Sequence, residues 1–178
     1  ISVLNGNWIS SQRMMDAFLT KSNQYLEKGY TLFGVMVSSQ PQYTIPDEIA
    51  DLKRAVRFIR YNAEEFKIDA DHIGITGSSA GGHLSLMIAT SDDTRDDKSG
   101  DPVDKVSARV QAVAVFYPPT DFINYGGVNT SGKINQQGLV LARVAAAFDF
   151  KEWSDTTGTY VSITDNERRL AIAKEVSP

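Results

Sequence analysis

The sequence predicts an α/β domain built on a doubly wound, mostly parallel sheet. Short apolar runs alternate with stretches of helical periodicity, which is the pattern of strands joined by crossover helices. A glycine-rich turn sits between one such run and one such helix, Gly77 to Gly82. The length sets the scale: 178 residues, 42% hydrophobic and 22% charged, suit one domain with a single core.

The elements follow in chain order. Ile1–Leu4 reads as a strand, followed by the turn formers Asn5-Gly6-Asn7. Met15, Phe18, Leu19, Ser22 and Leu26 recur at helical spacing, and Gly29 ends that helix. Thr31–Val37 reads as a buried strand, and a polar loop with Pro41 runs from Ser38 to Thr44. Ile49, Leu52, Val56, Ile59 and Ala63 then make one apolar helical stripe. Its first turn carries Asp47, Glu48 and Asp51, and Arg54, Arg57 and Arg60 lie further on; this order suits the helix dipole and predicts a solvated charged face.

Ile73–Thr76 is a short strand, and Leu84, Met87 and Ile88 mark the helix after the glycine-rich turn. Ser91 to Lys105 reads as a polar surface loop, and Val110–Tyr117 as another buried strand closed by Pro118-Pro119. Gly126, Gly127, Gly132 and Gly138 punctuate the stretch before a predicted helix at Leu139–Phe148, with a last helix over Asn166–Glu175. The expected division is a core over 1–121 and a cap or lid region over 122–178. Both ends read as cuts: the chain opens without methionine in an apolar run and closes on Val176-Ser177-Pro178, which predicts a piece of a longer protein.

Composition narrows the function. Eighteen Lys and Arg against 22 Asp and Glu leave a net charge of -4, with no basic run to attract nucleic acid or an anionic membrane. With no cysteine there is no disulfide, thiolate zinc site or cysteine nucleophile, and two histidines, His72 and His83, leave little for a metal. No apolar run is long enough to span a bilayer. The acidic loop (Asp92, Asp93, Asp96, Asp97, Asp101, Asp104) lacks the spacing of a calcium loop and reads as solvated.

The chemistry lies in Gly77-Ser78-Ser79-Ala80-Gly81, a G-x-S-x-G turn between strand and helix. Such a turn strains its serine into the open and needs glycines where a Cβ would strike the neighbouring strand or helix. Ser79 is the candidate nucleophile, and the Ala80 N–H at the helix start is a candidate oxyanion donor. Phosphate readings fail on spacing. In a Walker pattern His83 stands where lysine is needed and Leu84 where a hydroxyl is needed, and the turn has no G-x-G-x-x-G.

With these residues in place, the chain resembles the α/β-hydrolase fold, within it the esterases and lipases related to hormone-sensitive lipase and to bacterial acetyl-xylan and feruloyl esterases. The resemblance rests on Asn5-Gly6-Asn7-Trp8, on Ile45-Pro46 through Ile59, on Ile68-Asp69 through Leu84, and on Arg109 through Asp121. The resemblance implies hydrolysis of a carboxylic ester on a small molecule or carbohydrate, without metal or cofactor. It fits export to the periplasm or beyond as well as a cytoplasmic place. The family's His-Gly-Gly-Gly-Trp turn supplies oxyanion N–H groups from its second and third glycines. Here those positions are Gly6 and Asn7; the first glycine is Asn5 and the histidine Leu4. Trp8 and Asp121 are candidate substrate contacts, Asp121 with capping as its alternative. Trp153, Tyr160 and Phe148 are expected to pack within the cap.

A serine nucleophile needs a base and an orienting acid. His72 lies at the other end of the strand leading to Ser79, about 15–20 Å away, and His83 is anchored on the helix and expected to pack locally. The resemblance implies an acid after a seventh strand and a histidine after an eighth, so both are expected beyond residue 178. Two alternatives stay open: a serine peptidase of the prolyl-oligopeptidase type, and a binding scaffold without catalysis.

Overall fold

A computed structural model describes residues 1–125 and 131–178; Gly126 and Gly127 lie outside the described residues. Four strands, β1 (Ser2–Val3), β2 (Gly34–Val35), β3 (Gly74–Ser78) and β4 (Ala112–Phe116), form one parallel sheet in the order β2-β1-β3-β4. Ser2 sits opposite both Gly34 and Thr76, and Thr76 opposite Ala114. From β1 the chain goes first to one edge and then returns past β1 to the other side. The carboxyl ends of the adjacent strands β1 and β3 therefore lie where the strand order reverses, the place where open α/β sheets bind ligands.

The helices are α1 (Gln12–Lys21), α2 (Asn23–Leu26), α3 (Ile45–Tyr61), α4 (Ala63–Phe66), α5 (Ala80–Thr90), α6 (Gln136–Leu141) and α7 (Asn166–Glu175). The stripe on α3 is buried as its spacing predicts, and Thr44 with Asp47 closes its first turn by a capping box. One buried cluster joins Val3, Trp8, Leu52, Val56 and Leu84 to Phe122, Leu139, Phe148, Phe150 and Val176. The segment expected to be a cap thus shares its core with the sheet.

Several expectations need correction. The helix expected from Met15 to Leu26 is two, α1 and α2, broken at Ser22. That expected over Leu139–Phe148 is α6 followed by a 3₁₀ turn, Ala145–Phe148. Arg143 lies between them at φ +58°, with Arg143 N–H donating to Val140 O and Val144 N–H to Leu139 O, both at 3.0 Å. This is a Schellman stop with arginine where glycine usually stands, so no glycine announces it. An antiparallel hairpin, β5 (Lys151–Ser154) with β6 (Thr159–Ser162), was not expected. It carries Trp153 and Tyr160, which stack edge-on at 5.4 Å on the surface, while Phe148 alone of the three is buried.

β4 is apolar but open, with Phe116 60% and Tyr117 77% exposed. Among the described residues it stands at one end of the strand order, so a composition suited to an inner strand is left exposed here. The charged face of α3 is not all solvated. Arg57 is buried and donates to Thr94 O and Val106 O, and Arg60 holds Ala70 O and Arg109 O. Arg54 pairs with Asp101 and Asp104, so the acidic loop is strapped to this helix by its arginines.

Candidate active site

Two turns meet at the carboxyl ends of β1 and β3. The first is the glycine-flanked elbow. Ser79 has φ +52° and ψ -125°, a conformation L-residues avoid and that persists only where the surroundings enforce it. The glycines show what enforces it. A Cβ on Gly77 would lie 2.4 Å from Gly81 O, and one on Gly81 would lie 2.6 Å from Val3 O. Ser79 N–H donates to Phe116 O, and His83 N–H to Ser79 O, both at 3.0 Å, which seats the serine between β4 and α5. Its hydroxyl has no hydrogen-bond partner among the described residues, and neither has the Ala80 N–H at the first position of α5.

The second turn follows β1. Gly6 and Ile9 exchange both backbone hydrogen bonds at 3.0 Å around Asn7 (φ +53°) and Trp8 (φ +55°), as in a type I′ hairpin. This corrects one expectation: the Gly6 N–H is taken up by Ile9 O and is no free donor. Among the described residues, the turn's N–H groups left without a partner are those of Asn7 and Trp8. The turn is latched to the elbow, because Gly81 N–H donates to Asn5 O at 3.1 Å.

Trp8 is also corrected. It is 1% exposed and wedged edge-on among His83, Phe122, Tyr125 and Phe148, so it is a core anchor of the turn rather than a wall of an open pocket. Its indole N–H donates to His83 Nδ1 at 3.3 Å, and His83 Nε2 donates to Val176 O at 2.8 Å. Both ring nitrogens are engaged, and burial lowers the imidazole to about 4, so His83 is neutral with its proton on Nε2. It ties the turn, the elbow helix and the end of α7 together. His72 is exposed and paired with Asp69 at 2.7 Å, away from the elbow at the start of β3. Asp121 caps its own turn: it accepts from Ile123 N–H and Asn124 N–H, and the Asn124 amide and backbone hold its carboxyl below the usual range.

Glu48 is the residue the sequence reading passed over. It is fully buried, and Asn5 Nδ2 donates to its Oε2 at 3.0 Å. Burial pushes its carboxyl up to about 9, against the Asn5 hydrogen bond and with help from Asp51 and Asp47. A signal was there: position 48 lies between Ile45 and Leu52 on the buried side of α3, a poor place for a charge. Among the described residues no three acidic or histidine side chains form a metal site, and no helix is long and apolar enough to cross a membrane.

The chain is similar to known esterases. It is 36% identical over 118 residues to a probable carboxylic ester hydrolase, LipM, of Mycobacterium tuberculosis, covering 66% of this chain and 26% of that protein. An acetyl ester-xyloside bifunctional hydrolase from Caldicellulosiruptor lactoaceticus superposes with a TM-score of 0.58 at 30% identity, over 70% of this chain and 45% of that one. An α/β hydrolase enzyme, MGS-M1, from a Medee basin deep-sea metagenome library gives a TM-score of 0.51 at 26% identity, over 76% and 50%. This chain therefore spans about a quarter to half the length of these relatives. Its parallel sheet, crossover helices and elbow make it part of an α/β-hydrolase core. The BD-FAE family model matches residues 1–167, and the chain belongs to that family.

Proposed function

We propose that this chain carries the nucleophile and the oxyanion-binding groups of a carboxylic ester hydrolase. The observation that carries the proposal is Ser79, held at φ +52° at a strand–helix junction with its hydroxyl and the Ala80 N–H beside it both without a partner among the described residues. In this reading Ser79 Oγ attacks the ester carbonyl and passes its proton to a histidine supplied from outside residues 1–178. The carbonyl oxygen becomes an oxyanion held by the Ala80 and Asn7 N–H groups. Collapse expels the alcohol, which takes the proton from that histidine. Water, deprotonated by the same histidine, then attacks the acyl-enzyme and frees the acid and Ser79. Neither His72, at the start of β3, nor His83, with both nitrogens engaged, supplies the base.

An acylated carbohydrate is the favoured ester, because a relative at 30% identity is an acetyl ester-xyloside bifunctional hydrolase. The test is intact mass after treatment of the full-length protein, which includes the chain outside residues 1–178, with a fluorophosphonate, for the wild type and for Ser79→Ala. One adduct on Ser79 that disappears in the variant supports the reading. A wild type that stays unlabelled while folded removes it and favours a binding scaffold. Release of acetate from acetylated xylan against 4-nitrophenyl acetate then tests the carbohydrate preference.

A further inference from the structure

Beneath the turn that follows β1, two buried oxygens have no hydrogen-bond partner among the described residues, Glu48 Oε1 and Asn5 Oδ1. They belong to two residues already joined through their other atoms, Asn5 Nδ2 to Glu48 Oε2 at 3.0 Å. As an ionised pair the two side chains offer three acceptor oxygens and one NH₂ group, which also reaches Ser10 Oγ at 3.4 Å. Turning the Asn5 amide over exchanges one orphaned atom for another. A single proton on the carboxyl resolves both: a neutral acid and a primary amide form a closed ring, each donating once and accepting once.

We propose that Glu48 is a positioning residue that carries this proton, donating Oε1–H to Asn5 Oδ1 while Asn5 Nδ2 donates to Oε2, and that the closed pair fixes the oxyanion turn against the elbow. The link to the elbow is short. Asn5 O accepts the Gly81 N–H at 3.1 Å, and Asn7 follows two residues later. The name oxyanion turn rests on the ester hydrolase reading above; the acid–amide pair does not.

The surroundings favour the neutral form. The charged groups facing Glu48 are Asp51 and Asp47 of its own helix, both of which raise its affinity for a proton. Each is held as an acceptor, Asp51 by the Ser38 N–H and Asp47 by the Thr44 N–H. From the turn the Asn5 amide donates to Glu48, and the same amide nitrogen reaches the Ser10 hydroxyl behind it. Ionisation, near pH 9, puts a carboxylate against Asn5 Oδ1 and opens the ring.

The experiment compares wild type, Glu48→Gln and Glu48→Leu. The Asn5, Asn7 and Gly81 amide resonances are followed by NMR from pH 5 to 10, and the fluorophosphonate labelling rate over the same range. Glutamine rebuilds the ring with its own amide and cannot ionise; leucine fills the space and rebuilds nothing. The expected result is that the wild-type amides move together with a midpoint near 9 and are flat in Glu48→Gln. Labelling in Glu48→Gln stays near the wild-type rate but loses the alkaline decline, and Glu48→Leu is slower by about 10- to 100-fold, the order set by sub-ångström misplacement of reacting groups. A Glu48 carboxyl that titrates in the ordinary range overturns the proposal. So do turn amides that ignore it, or a Glu48→Leu protein that labels as fast as wild type. A wild type that never labels removes the serine reading alone; the amide shifts then still decide whether Glu48 sets the turn.

Discussion

The two turns of the site are held in opposite ways. The elbow is fixed by atoms that are missing: Gly77 and Gly81 lack the Cβ that would strike Gly81 O and Val3 O, and the serine between them is pressed into a conformation it would not choose. The turn after β1 is fixed by atoms that are present, the buried side chains of Asn5 and Trp8 held by Glu48 and His83. A turn held by close backbone approach fails when anything is added. A turn held by buried polar partners fails when a partner is removed. The same site therefore has two kinds of fragility, and mutations can separate them.

The largest effect is expected at the elbow. Gly77→Ala has to move backbone on α5, and urea unfolding should show a loss of at least about 3 kcal/mol or no folded protein. A loss below about 1 kcal/mol would mean that the helix shifts easily and that close approach does not hold the serine. Next comes the partner side. His83→Leu leaves the Trp8 indole N–H and Val176 O buried and unpaired, and is expected to cost about 2 kcal/mol in the same measurement.

Proton binding sharpens the comparison within the partner-held turn, where two buried groups act with opposite signs. His83 is depressed to about 4 from 6.5, so its contribution is present above pH 6.5 and is lost as pH falls toward 4. The loss between pH 6.5 and 5.5 is about 1 kcal/mol, and thermal melts should show it in wild type and not in His83→Leu. Glu48 is raised from 4.5 to about 9, so its contribution is full below pH 4.5 and is lost as pH rises through 9. Glu48→Gln should therefore gain on wild type as the pH rises from 5 to 9. The smallest effect belongs to the turn's backbone: Asn7→Ala at φ +53° should cost about 1 kcal/mol, while Asn7→Gly is close to neutral.

The same contrast explains what could be read from the sequence. The elbow is local, its glycines Gly77, Gly81 and Gly82 within one short turn, so spacing alone placed Ser79, Ala80, Gly77 and Gly81 at a strand–helix junction. The parallel sheet and the α3 stripe were legible for the same reason, since periodicity is a short-range signal. The second turn depends on partners 43 and 75 residues away; the stripe of α3 puts position 48 on its buried side, but no local signal pairs Glu48 with Asn5 or His83 with Trp8. The Gly6 N–H was misassigned because the Ile9 bridge is a choice among turn types that the letters Asn-Gly-Asn-Trp do not settle. The Arg143 stop was hidden because arginine rarely takes that conformation, and the exposure of β4 because an edge strand of inner-strand composition looks buried.

The bond from His83 to Val176 spans 93 residues, and it gives the fold an order in time. Synthesis delivers the elbow before α7, and its strand, glycines and helix can associate at once because their contacts are short in sequence. The imidazole at its base gains its second partner, Val176 O, only once α7 is made and docked. A contact made from α7 thus completes the buried polar network beneath an elbow 93 residues earlier in the chain.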